Sequence, residues 1–237
     1  MLCLKIKTKQ KYREFVDLLS EMPNICDFLG IEKVPHWTTP DKIFLKLKNL
    51  VLAILLIASA GKQISSNASI DATGFDRRHA SKQYLNRCKM HIKSMTVTML
   101  VNVDNQNILG IHNTTTRKYD SKIILPLTKH HRLKSLCADM GYDDIKVRRT
   151  LRIRGIRPLI PHREFKQKHR YWNSLIDKKS YHKRSLSETV NSIIKRKYSD
   201  TLFSKNWRTQ FKEIKLMAIV YNIDRNLVIY LRISTKL

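Results

Sequence analysis

The spacing of hydrophobic residues predicts that the first quarter of the chain is helical. One short amphipathic helix is marked by four apolar residues at helical spacing: Tyr12, Phe15, Val16 and Leu19. A second helix is predicted to begin at Thr39–Asp41, where a hydroxyl, a proline and an acid follow one another, and to end at Gly61. Its apolar run at Leu50–Ala60 is about half the roughly 20 residues needed to cross a bilayer, so we expect a core helix.

After a polar linker at 65–69 the hydrophobic period changes from helical to alternating, which is typical of strands. The predicted strands of this part are Ala68–Ile70, Met95–Val103 and Ile108–His112. The residues Asp104–Asn107 favour a turn between the last two, which would then form a hairpin.

The second half of the chain alternates between strand and helix patterns. The predicted elements are a helix at Asp120–His131, a strand at Ser135–Ala138, a helix at Asp143–Arg154 and a strand at Ile156–Ile160. The last three form a βαβ unit. A basic connection at 161–180 follows, then a helix that includes Tyr181 and Lys195, and a final amphipathic helix from Trp207. The order predicts a mixed α/β fold, a sheet flanked by helices.

One predicted helix presents polar residues on one side and apolar residues on the other. Tyr181, Arg184, Glu188 and Lys195 lie at offsets of three, seven and fourteen, so at about 100° per residue they share an arc of roughly 60°. The opposite side carries apolar residues at the spacing of a buried face: Leu186, Val190, Ile193 and Ile194. Glu188 is also the only acid between Asp177 and Asp200, in a strongly basic stretch. A solvated basic helix face is the ordinary interpretation of such a pattern.

The charge of the chain narrows the class of partner. Lys and Arg total 46 against 19 Asp and Glu, a formal net charge of +27, which favours a polyanion such as nucleic acid. Because the basic residues are spread along the whole chain, an anionic membrane surface fits less well. The four cysteines are scattered and no secretory signal pattern opens the sequence, so we expect a reduced cytoplasmic setting in association with the nucleoid.

Three acids are candidates for chemistry. Asp71 follows the predicted strand at Ala68–Ile70, Asp139 follows the strand at Ser135–Ala138, and strand ends are where α/β folds bind ligands. With Glu188 they could converge on one point, where mutual repulsion would require Mg²⁺ or Mn²⁺, and two such ions can cleave a phosphodiester. A loop or capping role remains open for Asp71, and Asp120 has the ordinary interpretation of a helix N-cap.

The sequence around these three acids resembles that of the DDE transposases of bacterial and archaeal insertion sequences. The resemblance is carried by IDATGF around Asp71, ADMGYD around Asp139, and a Y-x₂-R-x₃-E-x₆-K run from Tyr181 to Lys195, with weaker similarity at RKYDSKIILPL and YNIDR. It implies a ribonuclease-H-like domain at 65–225, after a short helical region at 1–64 that helps to bind DNA and before a tail at 226–237.

The resemblance also implies a reaction and its residues. Asp71, Asp139 and Glu188 would be the catalytic residues and would bind two Mg²⁺ or Mn²⁺ ions, while Tyr181, Arg184 and Lys195 would contact DNA. The substrates would be double-stranded DNA, namely the terminal inverted repeats of the element and the target, which are cleaved and joined within a dimeric synaptic complex.

Two other functions stay open at this point. The N-terminal region and the interval from Asp139 to Glu188 are both short for such a protein, which favours a truncated, catalytically silent DNA-binding remnant or repressor. A metal-dependent nuclease that cuts without joining is the third possibility.

Overall fold

Six strands form a mixed sheet in this computed structural model, which describes residues 1–61, 66–77, 87, 94–116 and 119–234. The strands are β1 (Ser66–Arg77), β2 (Met95–Asn102), β3 (Ile108–Thr114), β4 (Leu133–Cys137), β5 (Arg157–Leu159) and β6 (Thr201–Leu202). Their order is β3-β2-β1-β4-β5, and β6 pairs with the end of β1. The first three strands are antiparallel, whereas β4 and β5 run parallel to β1. This topology is ribonuclease-H-like and confirms the predicted fold.

Helices precede the sheet and cover both of its faces. Before the sheet come α1 (Leu2–Thr8), α2 (Tyr12–Ser20), α3 (Pro23–Phe28), α4 (Thr38–Lys46) and α5 (Asn49–Ser59). Between and after the strands come α6 (Ser121–Thr128), α7 (Ile145–Ile153), α8 (Gln167–Ser174), α9 (Lys178–His182), α10 (Ser185–Lys197) and α11 (Trp207–Ser234). The helical N-terminal region is confirmed, and α11 continues past residue 225 into the range 226–237 that was predicted to be a tail. No helix within the described ranges is long and apolar enough to span a bilayer.

The alternation of side chains along β1 and β2 gives the sheet two apolar faces. On one face, Phe75 and Met99 join a core that also includes residues of α10 and α11. On the other, Ile70 and Leu100 join a core under α6 and α7. The side chain of Asp71 belongs by alternation to the face covered by α10 and α11.

The second helix predicted for the N-terminal region was wrong in its continuity. The single helix predicted from Thr39 to Ala60 is broken where Leu47 and Lys48 adopt extended backbone angles, which separates α4 from α5. The apolar helix α5 joins the core through Leu52 and Leu56, as predicted, but only on one side, since Leu50 is 69% exposed. A helix that is apolar on all sides has no periodic pattern to show which side is buried. The sequence therefore could not predict that one side of α5 is exposed.

A polar clamp fixes α11 to the sheet. The side chain of Asn222 is fully buried; its oxygen accepts a 2.8 Å hydrogen bond from the Ile108 N–H, and its amide donates to the Ile108 carbonyl at 2.9 Å. The same amide lies 3.1 Å from the Ser59 hydroxyl of α5. One side chain of the YNIDR block therefore joins α5, β3 and α11.

Candidate active site

Asp71 lies in the middle of β1, so the prediction that it ends a short strand was wrong. The strand continues because β2 pairs with it as far as Phe75 and β6 pairs with Asp76. The parallel pairing with β4, however, stops at Ser69 and Cys137. Asp71 therefore stands beside the carboxyl end of β4, which is the kind of sheet edge where α/β folds bind ligands.

Asp139 lies at the matching position of the neighbouring strand. Ser69 pairs with Cys137, and Asp71 and Asp139 each follow two residues later, which puts them level on adjacent chain segments. Asp139 is exposed and caps the short 3₁₀ turn Met140–Tyr142, since its carboxylate accepts a 2.6 Å hydrogen bond from the Met140 N–H. The strand end and the turn together hold this carboxylate at the edge of the sheet.

The four residues of the predicted polar stripe do not share one helix. Tyr181 belongs to the short helix α9, and Arg184 occupies the N-cap position of α10, which carries Glu188 and Lys195. The break follows α9 at Lys183, and the sequence gives no proline or glycine there to reveal it. On the inner face, Val190 and Ile194 are buried as predicted.

Arg184 links the acids in the described structure. Its guanidinium forms an ion pair with Glu188 at 2.7 Å. Burial lowers the pKa of Arg184, but the charges of Glu188, Tyr181, Asp139 and Asp71 outweigh that effect and raise it above its usual value. The negative charges of all three predicted metal ligands therefore raise the pKa of the same guanidinium, which supplies a positive charge near them.

Asn191 is a site residue that the sequence pattern did not reveal. It lies one turn after Glu188 on α10 and is buried, and its amide donates a 3.0 Å hydrogen bond to a carboxylate oxygen of Asp71. Burial raises the pKa of Asp71, hydrogen bonds from the Ala72 backbone and Asn191 lower it, and Glu188 raises it further, so that the net direction is upward. An asparagine between Val190 and Ile194 in the buried stripe was the available signal.

A pair of buried serines seats α10 against β1. The Ser69 hydroxyl donates to the Ser187 hydroxyl at 2.9 Å, and the Ser187 hydroxyl donates to the Arg184 carbonyl at 2.7 Å. Both serines are fully buried. Because both side chains are small, the helix can approach the strand closely, two residues from Asp71 on one side and next to Glu188 on the other.

A cavity of about 1400 Å³ opens from the acids toward the N-terminal helices. Asp71, Glu188 and Asn191 line one part, and Lys5, Lys9 and Lys11 of the N-terminal region line another. Lys195 also lines it, with its ammonium group 5.4 Å from the centre of the Phe75 ring. The cavity is therefore wide, and basic side chains from both the N-terminal helices and α10 line it together with acids.

The donor chemistry of the acids fits Mg²⁺ or Mn²⁺, because hard carboxylate oxygens are the ligands that these ions prefer. No three acidic, histidine or cysteine residues of the described ranges form a ready-made cluster around one point. The raised pKa of Asp71 reflects burial and the neighbouring Glu188, both of which a divalent cation would offset. The carboxylates are therefore suitable ligands for these ions, and in this structure the Arg184 guanidinium supplies the positive charge that offsets their negative charge.

A fourth acid, Asp120, lies near Asp139. Burial raises the pKa of Asp120, and the charge of Asp139 raises it further. Its carboxylate lies against Gly141, since a β-carbon built on that glycine would be 3.1 Å from the Asp120 Oδ2 atom. The prediction that Asp120 caps a helix is correct for its position only, since its side chain makes no capping hydrogen bond within the described structure.

The chain is similar to known proteins over most of its length. The model of the family described as "Transposase DDE domain" matches residues 65–223, which include all four acids. No curated protein matches the sequence. Among solved structures, the chain is similar to one in a cryo-EM structure of the simian T-cell lymphotropic virus intasome in complex with the PP2A regulatory subunit B56 gamma, at 11% identity and a TM-score of 0.34. That similarity covers 74% of this chain and 58% of the viral structure's chain.

Proposed function

Because the chain belongs to the family of transposase DDE domains, we propose that it is a DNA transposase in which Asp71, Asp139 and Glu188 bind two divalent cations. The observation that carries the proposal is the packing of α10 on β1, because Asn191, one turn after Glu188, donates a 3.0 Å hydrogen bond to Asp71, and the register of β1 and β4 puts Asp139 level with Asp71. The positions of the three acids on β1, after β4 and on α10 agree with the roles that the sequence blocks predict.

The proposed reaction is cleavage of DNA at the terminal inverted repeats of an element, followed by joining of the freed 3′-hydroxyl to target DNA. Bound Mg²⁺ or Mn²⁺ would activate the attacking water or hydroxyl and stabilise the leaving oxygen of the phosphodiester. The three carboxylates act in their ionised form as ligands. Asn191 keeps Asp71 oriented through its hydrogen bond and favours the ionised carboxylate.

The basic residues of α10 and its N-terminus are proposed to hold the DNA backbone. Arg184 can exchange its ion pair with Glu188 for a bidentate contact to a phosphate once cations bind the acids. Lys195 lies seven residues after Glu188, about 10 Å along the helix axis, so it would contact a neighbouring phosphate. Tyr181, on α9 near Arg184 and Asp139, would border the same strand. The partners are double-stranded element ends and target DNA, held by a dimer in the synaptic complex.

The test is a cleavage and joining assay with the purified chain and DNA that carries the ends flanking its own gene. In Mg²⁺ or Mn²⁺ the wild type should nick the ends and produce joined products of defined length. Asp71→Asn, Asp139→Asn and Glu188→Gln should each reduce both to background. Asp104→Asn, at an exposed hairpin residue, makes the same change of charge and should retain activity.

Two outcomes would contradict the proposal. Duplex binding without cation-dependent cleavage by the wild type would identify the chain as a silent DNA-binding remnant or repressor. Cleavage without any joined product would identify it as a nuclease.

A further inference from the structure

We propose that the exposed side of α5 is the surface at which two copies of this chain associate, and that they do so without DNA. This surface, the α5 face, consists of five apolar residues of one helix: Leu50, Val51, Ile54, Leu55 and Ile57. The inference deepens the dimer of the proposed function and rests on that proposal for the use that is made of two joined copies.

The α5 face is apolar across its whole width. At about 100° per residue, its five residues span an arc of roughly 160° around the helix. The other exposed residue within this arc is Ala58, so no polar or charged side chain of α5 interrupts it. The opposite side carries Leu52 and Leu56, which are buried in the core. A helix that buries one apolar side and exposes another is typical of an element that packs against a partner.

The apolar surface continues onto α11, which lies along α5. The Asn226 amide donates a 2.8 Å hydrogen bond to the Ser59 carbonyl, and the Asn222 amide lies 3.1 Å from the Ser59 hydroxyl. Ile223 and Leu227 each follow one of these asparagines, and they are 41% and 51% exposed. The adjoining side of α11 therefore extends the α5 face.

The size of this surface fits a second copy of the chain. With the two residues of α11 it exposes on the order of 700 Å² of apolar side chain, whereas the largest apolar patch of a typical monomer is about 300–600 Å². Specific interfaces bury about 600–1,000 Å² on each partner. One copy thus offers enough surface for a stable contact with another.

The charge of the chain also favours a second copy over DNA at this surface. A phosphate backbone is bound through lysine and arginine, and α5 carries neither. Two copies with a formal net charge of +27 each repel one another over most of their surfaces. An uncharged apolar face is where that repulsion is weakest and where burial provides an attraction.

The residues before α5 favour an antiparallel arrangement of the two helices. Lys46 and Lys48 precede the helix, which has no acid in its first turn and no basic residue in its last. If two copies of α5 pack antiparallel about a twofold axis, the lysines of one copy lie near the carboxyl end of α5 in the other. A helix favours positive charge at that end. Such a contact uses each α5 face once, so it closes at two copies.

The α5 face lies apart from the cavity that contains Asp71 and Glu188. The residues that line the cavity in the described part of the chain come from α1, α2, α4, β1, α10 and α11 and from the segments next to them, and none belongs to α5. A dimer formed through α5 would therefore leave both cavities open to DNA.

The experiment measures the mass of the full chain, freed of nucleic acid, by sedimentation equilibrium at micromolar concentrations. The wild type should have twice the mass of one chain. Ile54→Arg puts a charge at the centre of the α5 face in both copies, and the dimer dissociation constant should rise about tenfold or more. Ile54→Leu keeps the surface apolar and should remain dimeric.

Ile153→Arg is the matched control, because Ile153 is an equally exposed isoleucine on α7, at 76%. It should form dimers like the wild type. Since Ile54 is 56% exposed, Ile54→Arg should also keep the circular dichroism and melting behaviour of a folded chain. A monomeric but folded Ile54→Arg variant would support the inference.

The salt dependence of the dimer separates an apolar contact from a charged one. Added NaCl screens the repulsion between two basic copies, so the dimer dissociation constant should fall as salt rises. Association through residual nucleic acid would weaken with salt instead, because it depends on phosphate contacts. Weakening with salt would therefore overturn the inference.

Three other results would also overturn it: a monomeric wild type, open-ended oligomers larger than two, or equal effects of Ile54→Arg and Ile153→Arg. Binding of a monomeric wild type to anionic vesicles, lost in Ile54→Arg, would assign the α5 face to a membrane surface. The proposed function is tested separately, because a monomeric wild type that cleaves and joins DNA would contradict only this inference. A dimer that neither cleaves nor joins would contradict only the proposed function.

Discussion

At the scale of single residues, the pKa of Asp71 depends on side chains that are far from it in the sequence, such as Asn191 and Glu188. The sequence predicted that Asp71 groups with Asp139 and Glu188, but it did not predict that Asp71 lies in the middle of β1. Asn191 could not be predicted, because an asparagine on a helix is ordinarily exposed, and only the tertiary packing of α10 on β1 brings its amide within 3.0 Å of the carboxylate.

The Asn191→Ala variant tests this dependence. Since the Asn191 hydrogen bond lowers the pKa of Asp71, its loss should raise that pKa further, and protons should then compete with cations up to a higher pH. The acid limb of Mn²⁺ binding, measured as affinity against pH, should therefore shift to higher pH. The matched control is Asn113→Ala on β3, which removes an amide that donates to the Phe211 carbonyl of α11. An unshifted acid limb in Asn191→Ala would show that the amide does not influence Asp71.

At the scale of elements, close contact between α10 and β1 depends on the serine pair. Ser187 is fully buried against Ser69, so Ser187→Leu would force extra carbons into a packed contact at a cost of about 1–3 kcal/mol. Chemical denaturation should show this loss of unfolding free energy, and Mn²⁺ binding should weaken because Glu188 moves away from Asp71. Thr189→Leu, on the exposed face of the same helix, should change neither by a comparable amount. Equal effects of the two variants would show that the contact between Ser187 and Ser69 does not hold α10 against β1.

A second link between elements is the carboxylate of Asp224, which joins α1, α10 and α11. It accepts hydrogen bonds from Lys7 at 2.9 Å, from Lys197, and from the Tyr198 hydroxyl at 3.1 Å. Burial raises the pKa of Asp224, but the bonds from Lys197 and Lys7 more than offset it, so the pKa is lower in the folded chain. A lowered carboxyl pKa stabilises the fold above its unfolded value of about 3.9, and this contribution is lost as the pH falls through the folded pKa.

Asp224→Asn should therefore destabilise the protein at neutral pH, by about 2 kcal/mol for the loss of charged hydrogen bonds. The difference from the wild type, measured by urea denaturation at a series of pH values, should shrink as the pH falls through the carboxyl range. Asp17→Asn, on the exposed side of α2, makes the same charge change and serves as the control. A difference that persists unchanged at low pH would mean that the carboxylate charge is not what stabilises the link.

Elements that are determined by a pattern within a short stretch of sequence could be predicted, whereas elements that depend on contacts with distant residues could not. The hairpin of β2 and β3 has alternation and a turn, and α2 has a regular apolar spacing, so both were predicted close to their observed bounds. The extension of β1 through Gly74 has no such pattern, because it depends on pairing with β2 and β6. The junction of α9 and α10 likewise depends on tertiary contacts of Arg184 and Ser187 rather than on a helix breaker.

At the scale of the whole molecule, the fold places Asp71 and Glu188 on one side of a cavity whose other walls carry lysines of the N-terminal helices and of the C-terminal part of the chain. The net charge of +27 is therefore not spread away from the site, and a polyanion would be drawn across the acids. Composition alone predicted a polyanionic partner, but it could not indicate that α1 and α2 would face the carboxylates. That arrangement is set by long-range packing of α1 against α11.

The cavity predicts a strong dependence of DNA binding on salt. A protein that contacts about six to ten phosphates loses roughly 10³–10⁵-fold in affinity between about 50 and 200 mM salt, because bound counterions are released. Duplex binding by the wild type, measured by fluorescence anisotropy, should fall in this range, and Lys195→Gln should reduce the slope of log affinity against log salt by about one. Lys33→Gln, at an exposed residue outside the cavity, should leave the slope unchanged. Equal slopes for the Lys195 and Lys33 variants would place the DNA elsewhere on the surface, because a lysine of the cavity would then contribute no more than one outside it.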